Sequence, residues 1–197
     1  VAKSLLGMGT DKAKQEKFLQ QKRFKHYSAE AKKKILDKLE ANKTIYGGNK
    51  HLINNFDENI ENFKKILSFY KSFFLSNNIF FCIENHQDLH SDDILNIIYE
   101  LGTDYIGINW DIGNSISCCE LPDSFYDKCK DFIKNIHLKD YIIVDNESYI
   151  SLVRCKFGEG FLKNFDIRKY LSLEVSRSLE LGAQISRKCY IYDEKYW

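Results

Sequence analysis

Four apolar stretches of this 197-residue chain each carry a metal-binding residue type at or near one end, and this recurrence most limits how the chain folds. "IFFCIENHQD" (residues 79–88) passes abruptly from a buried-strand composition to Glu84, Asn85, His86, Gln87 and Asp88. A turn is built well enough from Gly, Asn or Asp. Glu and His at a strand end ask for another explanation. "YIGINWD" closes at Asp111, "IHLKD" carries His137 early, and "YLSLE" closes at Glu174. The steps from Glu84 to Asp111, His137 and Glu174 are 27, 26 and 37 residues, each with room for a loop, a helix and a strand.

The intervening segments read as helices. From Asp57, taken as the N-cap, Ile60, Phe63, Leu67, Tyr70 and Phe74 recur at spacings of three and four. In "HSDDILNIIYELG", Ser91 suits the cap, Asp92 and Asp93 suit the positive end, and Gly102 suits the stop. "LPDSFYDKCKDFIKN" has Pro122 near its start. Further upstream, "AEAKKKILDKLEAN" after Ser28 predicts a helix and "TIYGG" a short strand. Residues 1–27 are a divergent, polar and basic segment. Alternating helix and strand predicts βαβ units on a parallel sheet. There is no Pro-rich or low-complexity linker, so residues 1–197 are read as a single domain.

Charge and cysteine content narrow the partners. With 29 basic and 28 acidic residues the formal net charge is +1, which gives no footprint for nucleic acid or an anionic membrane surface. No apolar run approaches the ~20 residues that span a bilayer. None of the six Cys forms a CxxC pair, so neither a zinc knuckle nor a disulfide framework is expected. A reducing, cytoplasmic setting follows, with Cys82 read as a small core residue.

In a closed parallel barrel all strand C-termini meet at one face. Glu84, Asp111, His137 and Glu174 would then converge into a mixed oxygen and nitrogen site. Such a set suits one divalent cation, Mn²⁺, Mg²⁺, Co²⁺ or Zn²⁺. The cation would offset the cost of gathering carboxylates in a buried place. Taken singly, a strand-end Glu or Asp is an ordinary solvated turn residue and a lone His an ordinary core residue. Four in successive strands carry the reading. Trp110, next to Asp111, reads as core.

"CIENHQD", "GINWDIGN", "IHLKD", "FGEG" and "LSLE" occur in the order seen in the xylose isomerase-like TIM-barrel superfamily, which this chain resembles over about residues 44–190. The superfamily includes sugar-phosphate isomerases and epimerases, inosose dehydratase and endonuclease IV. The resemblance implies an α/β fold, a (β/α) TIM barrel whose fourth to eighth strands are present in residues 28–197 and whose N-terminal part is incomplete. It implies that Glu84, Asp111, His137 and Glu174 are the metal ligands, and that Glu84 and Glu174 also move protons next to a substrate carbonyl through an enediolate. The substrate would be a small sugar or sugar phosphate. His86, Asn114, Lys139, Asp140 and Glu159 are placed by it as candidate substrate-binding residues, Asn114 alternatively as a partner that orients Asp111.

Two departures stand out. A full barrel needs about 250 residues, and little before residue 28 resembles the first three strands. An incomplete barrel also exposes its edges, which a second copy of the chain would cover. Only "FLKNFDIRK" lies between Gly160 and Tyr170, where a crossover wants about a dozen residues. Three alternatives stay open. A dehydratase of the inosose type would use the same metal and glutamates. An endonuclease IV-like phosphodiesterase would need more His than the five present. The third is a non-catalytic, degenerate barrel acting as a binding domain.

Overall fold

A computed structural model describes residues 55–180 and 186–193. The segment 1–27, the helix after Ser28 and the strand at 44–48 lie outside these residues. Helix α1 (Phe56–Phe69) and a short continuation, α2 (Lys71–Ser76), lead into strand β1 (Phe81–Glu84). Helix α3 (Ser91–Leu101) and β2 (Ile106–Asp111) follow, then a 3₁₀ segment over Gly113–Cys118 and helix α4 (Pro122–Cys129). After β3 (Ile133–Leu138) come β4 (Asp140–Asn146) and β5 (Tyr149–Cys155). Helix α5 (Ile167–Leu171), β6 (Ser176–Leu179) and β7 (Ser186–Cys189) complete the described elements.

Strands β1, β2, β3 and β6 form a parallel sheet in that order. Successive strand residues point to opposite faces, and the two faces of this sheet differ sharply. Phe81, Ile83, Ile106, Ile108, Trp110 and Ile136 point outward and are buried under the helices. Trp110 stacks on Phe125 of α4 at 5.6 Å and meets Tyr170 of α5 edge-on at 4.9 Å. It is fully enclosed, which settles it as core. The opposite face carries Glu84, Asn109, Asp111, Asn135 and His137.

Several boundaries depart from the sequence expectation. The cap of α1 is Asn55 in left-handed conformation, and Asp57 lies within the first turn. The cap of α3 is His90, whose backbone N–H donates to Asp93 at 3.0 Å. Ser91 instead donates its hydroxyl to the buried Glu120, whose other oxygen accepts the Ser91 backbone N–H at 3.0 Å. Cys82 sits half-buried on the inner face, not in the main core. All six cysteines are free thiols.

The largest difference is an unanticipated antiparallel sheet, ordered β4-β5-β7. Strands β4 and β5 form a hairpin closed by Glu147 and Ser148 between the Asn146–Tyr149 pair. Its inner side packs Tyr141, Ile150, Leu152 and Cys189 against Ile116. The alternation in "DYIIVDNESYISLVRC" is the hairpin signal. A βα-barrel reading passes over it because it interrupts the helix–strand order.

The second correction concerns "YLSLE". The strand expected over residues 170–174 is absent; Tyr170 and Leu171 belong to α5. Tyr170 is fully buried against Trp110, and its hydroxyl donates to Asp123 at 2.9 Å. That anchor holds the segment as a helix on the outer layer. The strand lies six residues later, and all four of its residues are exposed.

Candidate metal centre

Register brings the strand ends together. Glu84 pairs with Asn109, Asp111 with His137, and His137 with Ser178. Pairing extends past β6, because the Glu180 N–H donates to the Leu138 carbonyl at 3.1 Å. Glu84, Asp111, His137 and Glu180 each place one ligand atom within 4.8 Å of the others'. Three of these four match the sequence expectation. Glu174 does not join them. It is exposed in the connection after α5, and Glu180 takes the place expected for it.

The site is buried on the β1 and β2 side and opens toward β6. The Glu84 side chain is 3% exposed, while that of Glu180 is 34% exposed. His137 Nδ1 lies 3.3 Å from Glu84 Oε2 and 3.8 Å from Glu180 Oε2. Burial pushes the Asp111 carboxyl up to about 6, against the attraction of Lys139; Glu180 adds to the rise.

Lys139 is the second unexpected feature. Its side chain is 1% exposed, and its ammonium is ion-paired to both Asp111 and Glu180. It faces the acids, not solvent, and is placed to orient two of them. Its backbone is brought close by Gly113, where an added Cβ would lie 2.6 Å from the Lys139 carbonyl oxygen. Three carboxylates and one ammonium leave the cluster at −2 with His137 neutral. A divalent cation brings that sum to zero, and the oxygen-rich donor set suits it. The residues present therefore fit such an ion.

The other expected site residues divide. Asn114 is buried beside the cluster: its backbone N–H donates to Asp111 Oδ1 at 3.3 Å, its side-chain amide to the Asn85 carbonyl at 3.1 Å, and its Oδ1 accepts the Tyr141 hydroxyl at 3.2 Å. Its backbone thus holds Asp111 while its side chain ties Asn85 to Tyr141. His86 is half-buried, and its carbonyl accepts the Ser117 hydroxyl at 3.0 Å. Asp140 is engaged with backbone. Its carboxylate accepts four backbone N–H groups, from Tyr141, Gly158, Gly160 and Leu162, at 2.8 to 3.1 Å. It clamps the "FGEG" loop onto the start of β4. Gly158 serves that loop through its positive φ of 86°. Glu159 is exposed and paired with Lys156 at 2.7 Å, away from the cluster.

Sequence reasoning missed Asn85, Asn109 and Glu180. Asn85 follows Glu84 and braces two strand ends, donating to the Asp111 carbonyl at 2.9 Å and accepting its N–H at 2.8 Å. This is why the "IENHQD" stretch is so polar: Glu84 faces the cluster, Asn85 ties β1 to β2, and Asp88 is buried in the turn. The signal for Glu180 was available as a second Glu, in "SRSLE", six residues after the first.

No family model matches the chain. It is 23% identical over 94 residues to the uncharacterized protein YihM of Escherichia coli, covering 48% of this chain and 29% of that one. Two solved structures superpose with a TM-score of 0.54 at 14% identity. One is the probable 3-DHS dehydratase AsbF, involved in petrobactin synthesis in Bacillus anthracis, with 64% of this chain and 52% of that one covered. The other is a xylose isomerase domain protein of Planctomyces limnophilus, with 90% and 62% covered. The chain thus spans under a third of YihM and about half to three-fifths of the solved structures. With its four parallel strands, this chain has an α/β fold of the TIM-barrel type, shared with these two structures over the parts they cover.

Proposed function

We propose that the chain forms the metal-binding part of a sugar or sugar-phosphate isomerase or epimerase. The observation that carries this reading is the convergence of Glu84, Asp111, His137 and Glu180 from four neighbouring strands to within 4.8 Å, with a net charge that one divalent ion neutralises. Those four residues would hold the ion. When bound, it supplies positive charge beside a substrate carbonyl, which lowers the cost of the neighbouring carbanion.

The chain's own residues do the rest. Glu84 and Glu180 come from the outer strands of the four-strand row and so flank its centre. In this reading one carboxylate removes the proton beside the carbonyl and the other returns one to the enediolate. Glu180 sits at the open side, where substrate enters. Asn85 and Asn114 hold Asp111, and Lys139 holds Asp111 and Glu180, so the acids keep their places without substrate.

A dehydratase is the second reading, favoured by the structural likeness to AsbF. It begins with the same proton abstraction and differs in that a hydroxide leaves. Among the described residues the cluster contains one His, which speaks against a multi-zinc phosphodiesterase.

Metal content after dialysis and reloading with Mn²⁺ tests the site. About one ion per chain is expected, and it should be lost in His137→Ala. A folded chain that retains no ion would leave the barrel as a binding domain. With metal retained, solvent-deuterium exchange into ketoses separates isomerase from dehydratase, because only the first returns the proton to product.

A further inference from the structure

TIM-barrel interiors are ordinarily filled by branched apolar side chains. Here the layer directly beneath the cluster is amide. Asn109 of β2 is buried and Asn135 of β3 half-buried, side by side in the register of the two strands. Resting on the metal-site reading above, we propose that Asn109 is a positioning residue for the metal centre and that Asn135 sets its orientation.

One carboxamide touches two of the four cluster residues. The Asn109 side-chain nitrogen donates to Glu84 Oε2 at 2.7 Å. The same nitrogen lies 3.4 Å from Nδ1 and 3.2 Å from Nε2 of His137, nearly equidistant from both. It therefore braces the imidazole ring while it fixes the plane of the Glu84 carboxylate. An amide can in principle turn over and present its oxygen to those groups, which would repel Glu84. Asn135 prevents this. Its side-chain N–H donates to Asn109 Oδ1 at 2.6 Å, so the Asn109 oxygen is committed to β3 and its NH₂ must face Glu84 and His137.

The sequence of donors is directional: Asn135 to Asn109, then Asn109 to Glu84 with His137 alongside. Its contacts run to Glu84 and His137, so it acts through those residues. A buried amide costs free energy unless its groups are bonded, a cost that an apolar side chain would not carry. The polar choice makes sense as orientation of the layer above. Outer partners of this kind commonly change metal affinity by 10–100-fold when removed.

The test uses the full chain with Mn²⁺, free ion being read by electron paramagnetic resonance, and with Co²⁺, whose visible absorption bands report ligand geometry. Asn109→Leu should weaken Mn²⁺ binding about 10- to 100-fold and alter the Co²⁺ bands. Asn135→Ala should weaken it several-fold and move the bands in the same direction. In the double variant the loss should equal that of Asn109→Leu alone, because Asn135 acts only through Asn109. Wild-type affinity and bands in Asn109→Leu would overturn the inference, as would losses that multiply. If Asn109→Leu does not fold, unchanged binding in folded Asn135→Ala overturns it equally. A wild-type chain that binds no Mn²⁺ would remove the metal reading and this inference together, whereas binding insensitive to both amides removes only the latter.

Discussion

Replacing Asp140 separates a structural clamp from a substrate contact. Its buried carboxylate accepts N–H groups from Tyr141 and Leu162 on Oδ1, and from Gly158 and Gly160 on Oδ2. Asp140→Asn converts one oxygen to NH₂, so whichever way the amide turns, two donors lose their acceptor and face another donor. At about 1.5 kcal/mol for each hydrogen bond to a charged group, the loss is about 3 kcal/mol. Asp140→Ala strands all four donors and should cost more, about 4 kcal/mol once entering water satisfies some of them. Domains of this kind are stable by about 5–15 kcal/mol in all, so both variants should show clear shifts in urea midpoint at an unchanged slope. An Asp140→Asn chain within about 0.5 kcal/mol of wild type, the range of ordinary surface substitutions, would refute the clamp. It would return Asp140 to the substrate-binding role its place after Lys139 suggests.

Three further outcomes are expected. Glu180→Gln should weaken Mn²⁺ binding at least tenfold and abolish solvent-deuterium exchange into a ketose, while Glu174→Gln leaves both unchanged; the reverse result would restore the strand at residues 170–174. Lys139→Met leaves Asp111 buried beside Glu180 without its cation and should destabilise the ion-free chain by about 3–5 kcal/mol, and Mn²⁺ should then raise the melting temperature more than in wild type. Equal shifts in the two proteins would argue against a shared electrostatic role. Asp88 gives a pH signature: burial raises its carboxyl from 3.8 to about 6, so the native state binds the proton more tightly than the unfolded one. Stability therefore falls as pH rises from about 4 to 6, by up to about 3 kcal/mol at 1.36 kcal/mol per pH unit. Asp88→Asn should remove Asp88's share of that fall and leave the share of Asp111, whose carboxyl is also raised to about 6, so the variant matches wild type at pH 4 and gains on it at pH 7, as read by urea unfolding.

Three of the four cluster residues were legible because their strands are ordinary ones. Strands β1 and β2 are short apolar runs whose outward residues enter the core, and helices with plain start and stop residues separate them. Strand β3 was found too, though it begins at Ile133, earlier than its apolar run suggests, because α4 stops at Cys129. The amides Asn109 and Asn135 were hidden inside strand motifs, where an Asn carries no periodic signal. Their meaning depends on a cross-strand register that the sequence does not state.

Glu180 was missed for a reason the sequence itself contained. "LSLE" has the apolar character of a buried strand, and "SRSLE" does not, because β6 exposes all four of its residues. Hydrophobicity therefore selected the wrong segment. Chain length spoke the other way. With the strand ending at Glu174, only nine residues separate Gly160 from Tyr170, too few for a crossover. Moving the strand six residues on leaves 15 residues between Gly160 and Ser176, enough for the 3₁₀ turn at Phe161–Asn164 and for α5. The shortened connection was thus not a lost helix; it was a measure of how far the strand had been misplaced. Where a geometric requirement and a hydrophobic run disagree at a sheet edge, the requirement is the firmer guide, since an edge strand with an uncovered face has no need of apolar residues.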